Sequence, residues 1–122
     1  MISVEEIWDV ATLKLGLEPL EGLFAGGICL AGRFEEKGPV IFLAASAKDA
    51  EFVDAYAAFA EVEDTSPEEA IERVGMMCRF GLQVMGPFYT VRTFFYCEHT
   101  SLDSFLKEIG MLHSAAHTLK KS

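Results

Sequence analysis

The sequence predicts an α+β fold in a single domain over residues 1–122, an antiparallel sheet of about four to five strands with three main helices. Three observations carry this. The 122 residues suit one core. A composition of 51% hydrophobic and 24% charged residues is that of an ordinary globular domain, so no long stretch is expected to be disordered. The apolar pattern switches along the chain between helical spacing and strand-like runs.

The first segment reads as a helix. Ser3 and Glu6 can form a capping box, Val4, Ile7, Trp8, Ala11 and Leu15 follow at helical spacing, and Gly16 is a stop. Gly22 to Phe34 reads as a strand entered through a Gly-rich turn. Glu35 to Gly38 is a polar hairpin turn, and Val40 to Ala45 a short buried strand. Asp49 to Val62 fits either element. Phe52, Val53, Tyr56 and Phe59 suit a helix, whereas Phe52, Asp54, Tyr56, Ala58 and Ala60 suit one face of a strand.

Thr65-Ser66-Pro67-Glu68-Glu69 opens the next helix with a cap, a first-turn proline and a capping-box glutamate. Its apolar stripe runs through Ala70, Ile71, Val74, Met77 and Cys78, and its end is expected near Gly81. Gly86-Pro87 marks a turn. Thr90 to Glu98, rich in β-branched and aromatic residues, is the best strand in the chain. The last helix is expected to be capped by Thr100 and Asp103. Its stripe is Leu102, Phe105, Leu106, Ile109, Leu112, Ala116 and Leu119, and Lys120 and Lys121 complement its dipole.

The formal net charge of −9 argues against a nucleic acid or an anionic membrane as partner. Acids fill the stretch from Asp49 to Glu72 without a single base, which suits a solvated face or a dock for a basic partner. Glu5, Glu6 and Asp9 stand where a signal peptide would carry basic residues. Cys29, Cys78 and Cys97 are odd in number and set among apolar neighbours. A cytoplasmic protein with reduced thiols is therefore expected.

Few constellations suggest chemistry. His113 and His117 share a helix face and are the candidate metal pair, without the intervening acid of a zinc-protease motif. Cys97, Glu98 and His99 are contiguous at a strand end. Alternation would put Cys97 and His99 on one side, the geometry a thiol-dependent enzyme would need. Gly26-Gly27 with Gly32 lacks the spacing of a phosphate loop. No catalytic residue and no cofactor is expected. The remaining signal is strand surface. Arg92, Phe94 and Tyr96 alternate with Val91, Thr93 and Phe95, so both faces of that strand carry large side chains. With a single helical layer, the face of Arg92, Phe94 and Tyr96 needs a second subunit or a partner to cover it.

The element order, the acidity and the length resemble the type III secretion chaperone family and the YbjN-like proteins. The resemblance rests on Leu15-Gly16-Leu17 closing the first helix, Ile28-Cys29-Leu30 as first-strand core, Asp64 to Met77 as central helix, and Thr90 to Thr118 with its Leu102 to Leu106 opening. Cys78-Arg79-Phe80-Gly81 departs from the family pattern, which usually has an Asn late in that helix. The resemblance implies that 51–62 is a strand. It also implies a homodimer that binds an extended segment of a client protein on apolar patches, without chemistry. A rival resemblance is to roadblock or profilin-like domains, dimeric scaffolds, whose first hairpin Leu30 to Gly38 looks like and which a helix over 49–62 would favour. The expected function is thus a non-enzymatic, chaperone- or regulator-like module holding a protein partner. The alternatives are a roadblock-like scaffold, a small metal- or thiol-dependent enzyme, or a sensor with an apolar pocket between helix and sheet.

Overall fold

The computed structural model describes residues 1–21, 27–75 and 79–120. In chain order these form α1 (Val4–Leu13), β1 (Glu18–Pro19), β2 (Ile28–Arg33), β3 (Val40–Ala45), β4 (Phe52–Glu61), α2 (Pro67–Val74), β5 (Gly81–Met85), β6 (Phe88–Tyr96), a 3-10 turn (Cys97–His99) and α3 (Leu102–Lys120). The fold class is α+β as expected. The sheet has six strands in the order β1-β2-β3-β4-β6-β5, and every pairing is antiparallel. It exceeds the expected four to five because the two residues of β1 and the short β5 carry no alternation long enough to read.

Local chemistry explains the boundaries. Ser3 and Glu6 form the capping box, each backbone N–H donating to the other's side chain, at 3.2 and 3.1 Å. Gly16 takes φ +70 after α1, and the Leu17 N–H returns to the Ala11 carbonyl at 3.0 Å, which turns the chain back towards the sheet. Ser66 caps α2 by accepting from the Glu69 N–H at 3.2 Å. At α3 the cap is Ser101, which accepts from the Ser104 N–H at 3.1 Å. The expected cap Thr100 instead donates its hydroxyl to the Tyr96 carbonyl at 2.7 Å, fastening the turn between β6 and α3.

Three further expectations are corrected. Residues 52–61 are a strand, which removes the helix option over 49–62. Helix α2 closes at Gly75 rather than near Gly81, and Gly81 opens β5. Ile71, placed in the buried stripe, is exposed, because α2 is short and turns only Ala70 and Val74 inward. The Met77 and Cys78 positions of that stripe and the Gly-rich entry at 22–26 lie outside the described residues.

All three helices pack on one face of the sheet. Val4, Ile7 and Ala11 of α1, Ala70 and Val74 of α2, and Phe105, Ile109, Leu112, Ala116 and Leu119 of α3 join one core. Its sheet side is Leu30, Ile41, Leu43, Val53, Ala55, Ala57, Phe59, Val91 and Phe95. Each large side chain buried there contributes about 1.5–3 kcal/mol of transfer free energy. The opposite face holds a second cluster of Cys29, Phe42, Ala44, Tyr56 and Met85, flanked by Ala31, Val40 and Phe88, with no helical residue in it. No helix of the described residues is long and apolar enough to cross a membrane.

Candidate functional site: the open sheet face

Register decides which side chains share the open face. Phe52 lies opposite Tyr96, Asp54 opposite Phe94, and Tyr56 opposite Arg92. Alternation therefore brings Phe52, Asp54 and Tyr56 of β4 beside Arg92, Phe94 and Tyr96 of β6, away from the helices. The three sequence-predicted residues are together. Phe94 is 48% exposed, Tyr96 51% and Phe52 43%. Their rings meet edge to face, with centroids 5.3 Å apart for Phe94–Tyr96, 6.2 Å for Phe52–Tyr96 and 6.4 Å for Phe52–Phe94. The patch is thus held in shape by its own contacts while its outer surface faces solvent.

Beside it Arg92 forms an ion pair with Asp54, hydrogen-bonds Tyr56, and sits 5.9 Å from the Phe94 ring centroid. Burial works against the Arg92 charge. The hydrogen bond to Tyr56 and the Asp54 carboxylate more than offset this, so its pKa lies above the usual arginine value. Burial, reinforced by Asp54, likewise raises the Tyr56 hydroxyl. Asp54 belongs to the acidic stretch but is not part of a solvated face, and Arg92 neutralises it on the sheet. The other acids of that stretch from Glu61 to Glu72 are exposed around the β4–α2 turn and on α2. Sequence reasoning missed Phe52 and Asp54, because their roles depend on the pairing of β4 with β6. The signal was the alternation Phe52-x-Asp54-x-Tyr56, readable once the segment is taken as a strand.

The other candidates are not brought together as an active site. Cys97 to His99 form a 3-10 turn, so strand alternation does not apply. Cys97 is buried with its thiol pushed up by burial, whereas His99 is exposed. Cys29 is buried under the open face, and burial pushes its thiol up to about 11. Both are poor nucleophiles at neutral pH. The turn borders an open groove of 640 Å3 whose lining includes Ile2, Lys48, Glu51, Tyr96 and His99, so Tyr96 belongs both to this groove and to the aromatic patch.

His113 and His117 stack at 6.5 Å, but no group of three or more His, Cys, Asp or Glu among the described residues is arranged to hold a metal ion. His113 instead packs under the β2–β3 hairpin, its ring 4.9 Å from that of Phe34, with its buried Nε2 lacking a hydrogen-bond partner. Burial lowers its pKa below the ordinary 6.5, with Glu35 opposing and His117 assisting. A depressed histidine stabilises the fold fully above its unfolded pKa, and that contribution is lost as pH falls through the folded value. Denaturation midpoints are therefore expected to fall between pH 7 and about pH 5. A His113→Leu variant is expected to flatten that slope. An unchanged slope in the variant would assign the effect to other groups.

Compared with protein-family models and with curated proteins, the chain matches none.

Proposed function

We propose that this chain is a non-enzymatic protein-binding module that works as a homodimer and holds a segment of a partner polypeptide against its open sheet face. The carrying observation is the one-sided helical layer, which leaves Phe52, Phe94 and Tyr96 clustered and solvent-facing beside Arg92. Aromatic residues and arginine are the types that dominate binding energy at protein interfaces. The face carries few net charges in a chain of −9, so apolar contact there meets little opposing desolvation. The element order of helix, strands, helix, two strands, helix also suits the chaperone-like resemblance, and strand β4 is what that resemblance implies for 51–62. A helix at that position, which would have favoured the roadblock-like alternative, is absent, whereas that alternative's likeness at the Leu30 to Gly38 hairpin stands.

The test starts from a photo-crosslinking amino acid placed at Phe94 in the producing cell, with Leu13, exposed on α1, as a control position. The polypeptide joined at Phe94 alone is then purified, and its affinity is measured by calorimetry for the wild type and for Phe94→Ser/Tyr96→Ser. Loss of two hot-spot aromatics is expected to weaken binding by at least ~30-fold while the melting temperature stays close to wild type. Equal affinity of the two proteins, or crosslinking that favours Leu13, would rule the face out.

A further inference from the structure

The two edges of the sheet are unlike. At one, β1 is two residues long, Glu18 and Pro19, and so is blunted by a charge and by a residue without an N–H. At the other, β5 is five residues, Gly-Leu-Gln-Val-Met, with no charge and no proline. The tight turn at Gly86, φ +56, makes Met85–Phe88 the closing pair of the β5–β6 hairpin. From that pair the ladder alternates, so Gln83 bonds inward, as its carbonyl does in also accepting the Thr90 hydroxyl at 2.7 Å. Leu82 and Val84 then direct their N–H and C=O groups outward, on the side where β5 has no neighbouring strand among the described residues. Val84 is 53% exposed at the same place. An uncharged edge with free backbone groups and an exposed apolar side chain is a template for another strand.

We infer that the occupant is β5 of a second copy, joined antiparallel about a two-fold axis at Gln83. This rests on the reading of the chain as a homodimer and names the surface that joins the copies. Centring on Gln83 places Leu82 opposite the partner's Val84 and Gly81 opposite the partner's Met85. The two Leu82–Val84 pairs supply about four hydrogen bonds between chains, and each exposed Val84 packs on a Leu82. Arg79, just before β5, is already paired with Glu108 of its own chain and adds no net charge at the seam. Two chains of −9 therefore meet along strands that carry no charge of their own, so no like charges are opposed in the ladder. Helix α2, which packs against β5, adds Ile71, 61% exposed. The open face stays free for a partner in this arrangement.

The axis gives a direct test. Opposed Gln83 residues form a non-hydrogen-bonded antiparallel pair with Cα atoms about 4.5 Å apart, within disulfide reach. In a Cys78→Ser background, Gln83→Cys is expected to oxidise to a covalent dimer on a non-reducing gel, whereas Phe94→Cys stays monomeric. Light scattering is expected to give a dimeric mass for the wild type and a monomeric mass for Val84→Pro, which removes an outward N–H and leaves the ladder to β6 whole. Val84→Lys is expected to behave the same way should the proline variant fold poorly. A monomeric wild type, or a dimer that Val84→Lys keeps and Phe94→Ser breaks, would overturn the assignment. Because partner affinity is read separately with Phe94→Ser/Tyr96→Ser, a failed edge leaves the binding face standing, and a failed face leaves the edge standing.

Discussion

Phe105→Ala is expected to destabilise the protein by about 3–5 kcal/mol, the largest effect of any single truncation considered. Phe105 is 0% exposed and stands on the first turn of α3, its ring 5.2 Å from Phe95 of β6 in an edge-to-face contact. It joins the longest helix to a central strand. Truncation there removes both the transfer free energy of the ring and the contacts that lined it, and a rigid sheet cannot collapse into the space. Chemical denaturation at 25 °C should show a lower midpoint with an unchanged slope, and the melting temperature should drop by roughly 10–25 °C. A loss under about 1 kcal/mol would mean that the core tolerates the cavity far better than a close-packed site can.

The second large effect is expected at Gly32, and here the problem is too little room. A Cβ at this position would stand 2.9 Å from Leu17 Cδ2, 3.2 Å from Leu17 Cα and 3.2 Å from the Gly16 carbonyl oxygen. The side chain could shift, but Leu17 is 1% exposed and its backbone is fixed by the φ +70 turn at Gly16. Gly32→Ala is therefore expected to cost about 1–3 kcal/mol, although alanine suits a strand better than glycine does. Gly81, where a Cβ would meet nothing within 4 Å, is the control. Gly81→Ala should leave the denaturation midpoint within about 0.5 kcal/mol of wild type. Equal effects at the two positions would show that strand propensity, and not the approach of Leu17, governs Gly32.

Much of this architecture was legible in the sequence. Ser3, Glu6, Ser66 and Pro67 announced two helix starts through a chemistry that needs no tertiary context. The alternation of Arg92, Phe94 and Tyr96 sets these three on one side of the sheet, and the register keeps them there, away from the helices. The pattern failed where both faces of an element are apolar. In β4 Val53, Ala55, Ala57 and Phe59 face the helices while Phe52, Tyr56 and Ala58 face the other way, so no period survives and the alanines imitate a helix. It failed again at β5, five residues without a charge, which is too short to declare a period. Asp54 could not be assigned from its own neighbourhood, since its partner Arg92 lies 38 positions away in the chain.

The strand order has a kinetic consequence. Neighbours β1 to β4 follow one another in sequence, and β5 pairs with β6 next to it, but β4 pairs with β6 across the whole of α2 and β5. The chain is therefore two locally wound halves closed along one long ladder from Phe52–Tyr96 to Glu61–Phe88. Each half can gather its hairpins quickly, whereas the closing ladder must first overcome the entropy of the intervening loop. Its inner side carries Val53, Ala55, Val91 and Phe95, the residues on which α3 docks. That seam is where the folding barrier belongs, with substitutions along it slowing folding and substitutions in β1 mainly hastening unfolding.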